Sequence, residues 1–320
     1  MMRLKLVPRN TSWNFFLRSK LWIGISIILV VLSLISFFVQ SLNFGIDFRG
    51  GTSIRTESSE PVNVAAYRNA LSSLDLGDIT ISEVFDPSFE DNQNVAMIRI
   101  QAQPGQEAAT SILVENSLQK LKEVNEDIKF VSVESVGPKV SGELIRTAII
   151  AVVLAISAVL FYIWIRFEWQ FAVGAISALI HDVILTIGVF SLLQIKFDLA
   201  IIAAILTIVG YSLNDTVVVF DRVRENLRKF KKRSLIEVMN LSINETMSRT
   251  VMTSVTTLLA LISLFVLGGD VIRGFVFAMI WGVVVGTYSS IFIASAILLW
   301  TGVKRDWSRS NAEAGTQVPQ

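Results

Sequence analysis

Long apolar runs separated by short polar segments make up most of this 320-residue chain. The first run lies at 21–39, and its length suits a spanning helix, which needs about 20 residues. Further runs lie at 144–165, 171–193, 199–220, 250–267 and 274–300. A basic start before an apolar run is also typical of a signal peptide. However, this run is long for one and no small-residue cleavage site follows it, so we interpret it as a retained helix.

One polar block, 43–142, interrupts the apolar pattern after the first run. Within it, alternating apolar positions predict strands, and apolar positions three or four residues apart predict helices. The predicted order is strand, helix, strand, strand, helix, strand, at 52–56, 61–74, 79–85, 95–101, 107–124 and 129–136. Asp91, Asn92 and Asn94 mark the turn between the middle strands. This order predicts a small α+β domain of the ferredoxin-like kind beside a bundle of six transmembrane helices.

Basic residues fall in alternate connections between the spans. They collect before the first span, between spans two and three, between spans four and five, and in the tail. The positive-inside rule therefore predicts cytoplasmic termini and an outside position for the polar block. The predicted organisation is a cytoplasmic N-terminus (1–20), a first span (21–42), a periplasmic domain (43–142), spans two to six (143–302) with a basic cytoplasmic loop (221–249), and a cytoplasmic tail (303–320).

The predicted loop between spans four and five contains a dense basic run and a helix start signal. The basic run, 222–233, is typical of a cytoplasmic loop beside anionic lipid. A site for a cytoplasmic partner or for ribosomal RNA is the alternative interpretation. Ser234 and Glu237 form a capping box. The apolar residues that follow share one face, which predicts a short helix lying at the membrane surface.

The amino-acid composition excludes several classes of function. Hydrophobic residues make up 52% of the chain and charged residues only 17%, which is typical of a polytopic membrane protein. With no Cys and one His, disulfides, thiol chemistry and a multi-His metal site are excluded. No P-loop motif and no nucleophile–base arrangement is present. We therefore expect neither an enzyme nor a cofactor, and a net charge of +1 suggests no nucleic-acid partner.

Asp215 lies inside the fourth apolar run, beside Asn214. A carboxylate within a span costs roughly 3 kcal/mol or more on insertion scales, so we expect a partner or a proton to carry. Arg249, at the mouth of the fifth span, is the predicted partner, although it is also typical of an interfacial positive-inside residue. Asn214 is expected to hydrogen-bond a neighbouring helix. Thr253 belongs to a row of hydroxyls after Arg249 that suits either an ion path or helix packing.

Two further features lie inside the spans. His181 and Asp182 form a polar pair in the third span, which suits either a proton relay or an interhelical hydrogen bond. Gly282 and Gly286 form a GxxxG pattern in the sixth span, a weak indication of a close helix contact.

Several motifs together carry a resemblance to a known family. They are FGIDFRGG at 44–51, VGPKVS at 136–141, RFEW at 166–169, GYSLNDTVVVFDR at 210–222 and SRTVMTSVTTL at 248–258. Over nearly its whole length the chain resembles the SecF family of bacterial protein-export subunits. The resemblance implies one half of an RND-type transporter in the inner membrane. It also places Asp215 and Arg249 on the ion-coupling positions of the family.

The resemblance also implies function and partners. Members use the proton gradient, or sodium in some cases, to help secretory proteins leave the SecYEG channel on the outer side. Implied partners are SecD, SecYEG, the translocating polypeptide and the lipid bilayer, with YajC and YidC as further candidates. Two other classes compete with this interpretation. An RND-type small-molecule efflux transporter would carry two six-span halves and large outside domains, and a receptor or scaffold would need no carboxylate at membrane depth.

Overall fold

Six helices dominate the computed structural model, which describes residues 11–303 except 75, 85, 87, 88, 91 and 103–110. They are long and apolar enough to cross a membrane, and they confirm the predicted six spans. They are α1 (Ser19–Gln40), α5 (Pro138–Arg166), α6 (Trp169–Leu193), α7 (Leu199–Lys229), α8 (Leu235–Leu267) and a last helix (Asp270–Thr301). The last helix consists of α9 (Asp270–Ser289), a π-helical segment (Ser290–Ala294) and α10 (Ser295–Thr301).

The region between spans four and five differs from the prediction. α7 continues to Lys229 and α8 begins at Leu235, so the predicted loop 221–249 is a helical hairpin with a short turn. The predicted capping box is present, since Glu237 N donates to Ser234 Oγ at 3.3 Å. The predicted surface helix is the first part of α8. Its apolar face is covered by the extension of α7 rather than by lipid, because Met239 packs in one cluster with Val223.

A four-stranded antiparallel sheet follows the first span. Its strands are β1 (Gly51–Ser58), β2 (Ile79–Val84), β3 (Asn94–Gln101) and β4 (Lys129–Val136), in the order β2-β3-β1-β4. Helices α3 (Val64–Leu71) and α4 (Ser111–Lys122) contribute Leu71 and Leu121 to a core with Ile54 and Ile98 of the sheet. The βαββαβ order confirms the predicted ferredoxin-like arrangement.

Parts of several predictions lie outside the described residues. The predicted helix 107–124 is described only from Ser111, and strand residue Phe85 and turn residue Asp91 lie outside. The segment 1–20 is described only from Thr11, and the tail only at Val303.

Hydrogen bonds join the segment before the sheet to the hairpin between α6 and α7. The segment before β1 forms a short helix, α2 (Ile46–Arg49), and then Gly51, whose φ of 128° favours glycine. A Cβ on Gly51 would lie 2.2 Å from the Ile100 carbonyl oxygen. Gly45 N donates to Phe197 O at 2.8 Å, and Leu199 N donates to Asp47 Oδ2 at 3.1 Å. The first turn of α7 is therefore bonded directly to the chain that enters the sheet.

Three helices, α6, α7 and α9, form the buried centre of the bundle, and α1, α5 and α8 are more exposed around it. The predicted contact face of α9 is confirmed at its two glycines. A Cβ on Gly282 would lie 2.3 Å from Ile208 Cγ1, and one on Gly286 would lie 3.0 Å from Ser212 Cβ. The missing side chains let α9 approach α7 closely.

Candidate functional site

Asp215 lies where α7, α8 and the π-helical segment meet. Its side chain is 8% exposed, and two hydroxyls from neighbouring helices hold its carboxylate. Thr250 Oγ1 of α8 donates to Oδ1 at 2.7 Å, and Ser290 Oγ donates to Oδ2 at 2.7 Å. The carboxylate therefore holds three helical segments together, and each of its oxygens has a donor.

Arg249 occupies a different place from the one predicted. It precedes Thr250 on α8, its side chain is exposed, and it forms no ion pair with Asp215 within 4.0 Å. Successive positions on an α-helix point about 100° apart, so when Thr250 faces α7 its neighbour turns away. The predicted direct pairing is therefore wrong for this structure, and hydroxyls take the place of the cation.

The other predicted neighbours of Asp215 do not contact it. Asn214 is exposed and makes no hydrogen bond with any residue that the structure describes, so the expected interhelical bond is not formed. Thr253 Oγ1 donates to carbonyls of its own helix, those of Arg249 at 3.1 Å and Thr250 at 2.9 Å. Thr250, another member of the hydroxyl row, is the one that contacts the carboxylate.

A second buried carboxylate lies on α6. Asp182 is 1% exposed, and its Oδ1 lies 2.9 Å from His181 Nδ1. Its Oδ2 accepts from Ser212 Oγ of α7 at 2.6 Å and from Ser289 Oγ of α9 at 2.8 Å. The pair that the sequence singled out is therefore part of a four-residue cluster across the three central helices.

An aromatic side chain, Tyr288 of α9, lies between this cluster and α1. The imidazole of His181 lies under the ring of Tyr288, with centroids 6.1 Å apart, and His181 Nε2 is buried without a hydrogen-bond partner among the described residues. Tyr288 in turn donates its hydroxyl to the Trp22 carbonyl oxygen of α1 at 2.9 Å. The second carboxylate is thus shielded by α1.

The serines that bind the two carboxylates lie where the last helix changes from α to π geometry. Ser289 is the last residue of α9 and Ser290 the first of the π-helical segment, and each serine contacts a different carboxylate. A π-turn inside an α-helix often marks a functional site. α6 packs tightly on this segment, because a Cβ on Gly174 would lie 2.8 Å from the Ala294 carbonyl oxygen.

Sequence reasoning did not single out Ser212, Ser289 or Ser290. Two signals could have found them. The two serines are adjacent within an otherwise apolar run, and Ser212 lies three residues before Asp215, on the same helix face. Within the described ranges, no group of three or more His, Asp or Glu side chains has the proximity needed to hold a metal ion.

A cleft of about 530 Å³ separates the sheet from the outer ends of α7 and α9. Arg99 of β3 lines it, together with Asp198 and Asp270 from the starts of those helices. Burial lowers the pKa of the Arg99 guanidinium, and the nearby carboxylates of Asp270 and Asp198 partly offset this. The cleft therefore brings unlike charges from the sheet and the bundle close together.

Comparisons with known proteins cover nearly the whole chain. The model of the SecD/SecF C-terminal membrane protein family matches residues 116–304, and that of the SecD/SecF GG motif matches residues 35–62. A protein translocase subunit SecF of Cereibacter sphaeroides is 59% identical over 98% of this chain and 97% of its own length. One of Vibrio alginolyticus is 42% identical over 94% of each chain.

The chain belongs to the SecF family. Its fold is similar to that of the crystal structure of SecDF, a translocon-associated membrane protein from Thermus thermophilus, with a TM-score of 0.82 and 34% identity. The match covers 94% of this chain but 40% of the SecDF chain. The super-membrane-facing form of SecDF matches with a TM-score of 0.68. This SecF chain is a multi-pass protein of the bacterial inner membrane.

Proposed function

We propose that this SecF chain is an accessory subunit of the Sec protein translocase that works with SecD to couple an ion gradient to late steps of protein export. Asp215 is the coupling centre, and the proton is the coupling ion we favour, with sodium as the other candidate. The observation that carries the proposal is the buried Asp215 carboxylate, held by hydroxyls of two other helical segments at 2.7 Å.

A direct mechanical path supports coupling to the outer domain. Asp215 lies on α7, whose first turn is bonded through Leu199 N to Asp47 of the segment that enters β1. A change in the hydrogen bonds of Asp215 that moves α7 therefore also pulls on the sheet. The cleft beside Arg99 leaves room for such a movement.

We propose that Arg249 controls the protonation of Asp215, although the two side chains form no ion pair in this structure. Approach of Arg249 would favour the ionised carboxylate, and its withdrawal together with burial would favour the protonated one. A conformational change that alters this separation thus changes the affinity of Asp215 for a proton. Asn214 and Thr253, both exposed, lie on the outer surface of the bundle, where a partner can reach them.

The partners follow from the family. The solved relative joins SecD and SecF in one SecDF chain, of which this chain matches 40%. We propose that SecD packs against the exposed side of this bundle, and that SecYEG and the emerging polypeptide are the wider context. YajC and YidC remain candidate partners. We further propose that both termini lie in the cytoplasm and the sheet domain in the periplasm. Small-molecule efflux by an RND-type half-transporter gains no support from the relatives.

The test uses proteoliposomes that contain this chain with SecD and SecYEG and carry an imposed proton gradient. Asp215→Asn keeps the size of the side chain but cannot release a proton. We expect it to abolish gradient-dependent export of a preprotein while still co-purifying with SecD. Asp221→Asn is the matched control in the same helix. Its exposed carboxylate pairs with Arg166 at 3.1 Å, a surface contact worth about 0–1 kcal/mol.

Export at the wild-type rate by a normally assembled Asp215→Asn complex would show that Asp215 is structural. Repeating the assay with a sodium gradient instead of a proton gradient identifies the ion. Release of a dye from the same vesicles, dependent on the gradient and on Asp215, would instead support the efflux alternative.

A further inference from the structure

Asp182 is a buried ionisable group that the proposed coupling centre does not include. Its 1% exposure makes it even more enclosed than Asp215. Three groups face its two oxygens: His181 Nδ1, Ser212 Oγ and Ser289 Oγ. A neutral amide would accept from the two serines at a lower desolvation cost than a carboxylate. The presence of an ionisable side chain at this position therefore points to a use for its charge.

The last helix joins the two carboxylates directly. Ser289 Oγ donates to Asp182 and the next residue, Ser290, donates to Asp215. α7 makes the same connection from its side, because Ser212 donates to Asp182 and Asp215 follows one turn later. The last helix thus contacts both carboxylates through adjacent residues. α7 carries one carboxylate and contacts the other from a residue one turn earlier.

Each serine of the last helix has two acceptors within reach. Ser289 Oγ lies 2.8 Å from Asp182 Oδ2 and 3.1 Å from the Gly286 carbonyl oxygen. Ser290 Oγ lies 2.7 Å from Asp215 Oδ2 and 3.0 Å from the Thr287 carbonyl oxygen. A hydroxyl has one proton to donate. It can bond an ionised carboxylate, or turn to its own helix when the carboxyl group becomes protonated and is itself a donor.

We propose that Asp182 is a second protonation site, and that Ser289 and Ser290 couple its protonation to that of Asp215. The inference rests on the proposed function in taking the proton as the coupling ion. A proton from bulk water binds one carboxylate, and the serine that faces it then donates to the carbonyl oxygen three residues earlier, Gly286 O for Ser289 or Thr287 O for Ser290. The hydrogen bonds of the helical turn that contains Ser289 and Ser290 change as a result. The other serine is displaced by this change. Each proton later returns to water, so nothing else is consumed.

Few other titratable groups face this cluster. Among the described residues, the ring centroid of Tyr288 of α9 lies 6.1 Å from that of His181, and Asp215 and Tyr211 lie on α7 within one turn of Ser212. The Tyr211 hydroxyl donates to Ser254 Oγ of α8 at 3.5 Å. α1 from Trp22 to its end, the π-helical segment and α10 carry no charged side chain. Arg166, at the cytoplasmic end of α5, is paired with Asp221. A pH response of this cluster is therefore assignable to the two carboxylates and His181.

Infrared difference spectroscopy of the full chain with SecD in lipid nanodiscs tests the proposal. Spectra are taken between about pH 3 and about pH 9, a range that spans the titration of ordinary carboxyl groups and of His. We expect two buried carboxyl C=O bands, one lost in Asp182→Asn and the other in Asp215→Asn. Asp182→Asn and Ser289→Ala should each move the pH midpoint of the Asp215 band by about 0.5 unit or more, about a threefold change in proton affinity.

Ser191→Ala is the matched control. It removes a buried hydroxyl of α6, the helix that carries Asp182, and the partners of this hydroxyl are Ser41 O and Ser36 Oγ. It should leave both bands and both midpoints unchanged. If Asp182→Asn removed no band, the second site would be wrong. An Asp215 midpoint unchanged in Asp182→Asn and in Ser289→Ala would overturn the coupling. Ser289→Ala keeps both carboxylates, so it decides the coupling even if Asp182→Asn does not fold.

This readout needs no translocation and is independent of the export assay. A negative infrared result leaves the proposed function of Asp215 standing. Conversely, an export assay that refutes the proposed function of Asp215 leaves the two infrared bands and their coupling intact as observations.

Discussion

Hydroxyl groups, not a cation, hold the buried Asp215 carboxylate in this state. A hydrogen bond to a charged group contributes about 1.5–3 kcal/mol, so Thr250 and Ser290 together offset part of the cost of burial. Arg249 makes no ion pair with Asp215 and lies on the exposed side of α8. The groups that hold the carboxylate are therefore different from the cation that we propose changes its affinity for a proton.

Arg249→Met should slow gradient-driven export about tenfold or more, the equivalent of about 1.4 kcal/mol in the coupling step. The reason is that Asp215 loses the cation that we propose favours its ionised form. Arg249→Lys keeps the charge and should retain more activity. Arg224→Met is the control, because among the described residues the Arg224 guanidinium bonds only the Arg166 carbonyl oxygen, at 3.3 Å. Wild-type export by Arg249→Met, in the proteoliposome assay, would contradict the role.

Asp127 gives a pH-dependent prediction outside the membrane. Hydrogen bonds from the Ser59 hydroxyl and the Ser59 amide lower the pKa of the Asp127 carboxyl below its ordinary value of 3.8. A lowered pKa in the folded state stabilises the fold above the ordinary value, and this stability is lost as the pH falls through the lowered one. Asp127→Asn should therefore destabilise the chain at neutral pH.

The difference between Asp127→Asn and wild type should shrink as the pH falls from neutral to about 2, because the Asp127 carboxylate becomes protonated as the pH passes through its lowered pKa. Chemical denaturation of the full chain in detergent at the two pH values measures it. Glu126→Gln, at the exposed neighbouring position, should show no such pH-dependent difference. An equal destabilisation at both pH values would mean that the Asp127 charge does not matter.

At the scale of elements, small side chains decide how closely the central helices approach. α9 lies against α7 through Gly282 and Gly286, and α6 lies against the π-helical segment through Gly174. In lipid, where apolar burial gives no preference for helix association, such close contact is a main source of packing energy. The serines that hold the two carboxylates depend on these approaches.

Gly282→Ala should destabilise the bundle by about 1–3 kcal/mol, because its Cβ would overlap Ile208. Gly210→Ala, at an open helix position of α7, should be neutral or stabilising by about 0.5–1 kcal/mol. Thermal unfolding of the purified chain compares the two. Ile208→Ala should relieve part of the Gly282→Ala effect in the double variant. Equal stability of Gly282→Ala and wild type would show that the contact tolerates a methyl group.

At the scale of the whole molecule, one buried group of three helices is linked to one sheet domain. Asp47, Gly45 and Phe197 join the segment before β1 to the start of α7, so the sheet and the carboxylate-bearing helix share one connection. Around this centre, α8 exposes Arg249 and α7 exposes Asn214. A second six-helix unit that covered these two side chains would shield a guanidinium and an amide that lipid cannot satisfy.

We expect an alkaline phosphatase fusion at Asn92 to be active and one at Lys231 to be inactive. The turn before β3 carries Asn92, whereas Lys231 lies in the basic turn between α7 and α8, which the positive-inside rule assigns to the cytoplasm. Fusion activity in intact cells measures this. A fusion at Gly269, between α8 and α9, should be active like the first. The reverse pattern would invert the proposed topology.

Much of this protein was determined by the sequence alone, because local patterns determine local structure. Span lengths, strand alternation and the Ser234–Glu237 cap depend on neighbours in the chain, and the six spans and the βαββαβ order were predicted from them. Asp215 was also found from sequence, since a carboxylate inside an apolar run is costly wherever the helix packs. So was the His181–Asp182 pair, whose members are adjacent in the chain.

Only the tertiary structure decided which groups meet these residues. Chain proximity suggested Arg249 as the partner of Asp215, but the rotation of α8 about its axis directs Thr250 to the carboxylate instead. Ser290 is 75 residues from Asp215, and Ser289 is 107 residues from Asp182. Such contacts depend on the close approach of α9 to its neighbours and on the π-turn. The periodicity of a single helix contains neither, so the coupling between the two carboxylates is visible only in the folded bundle.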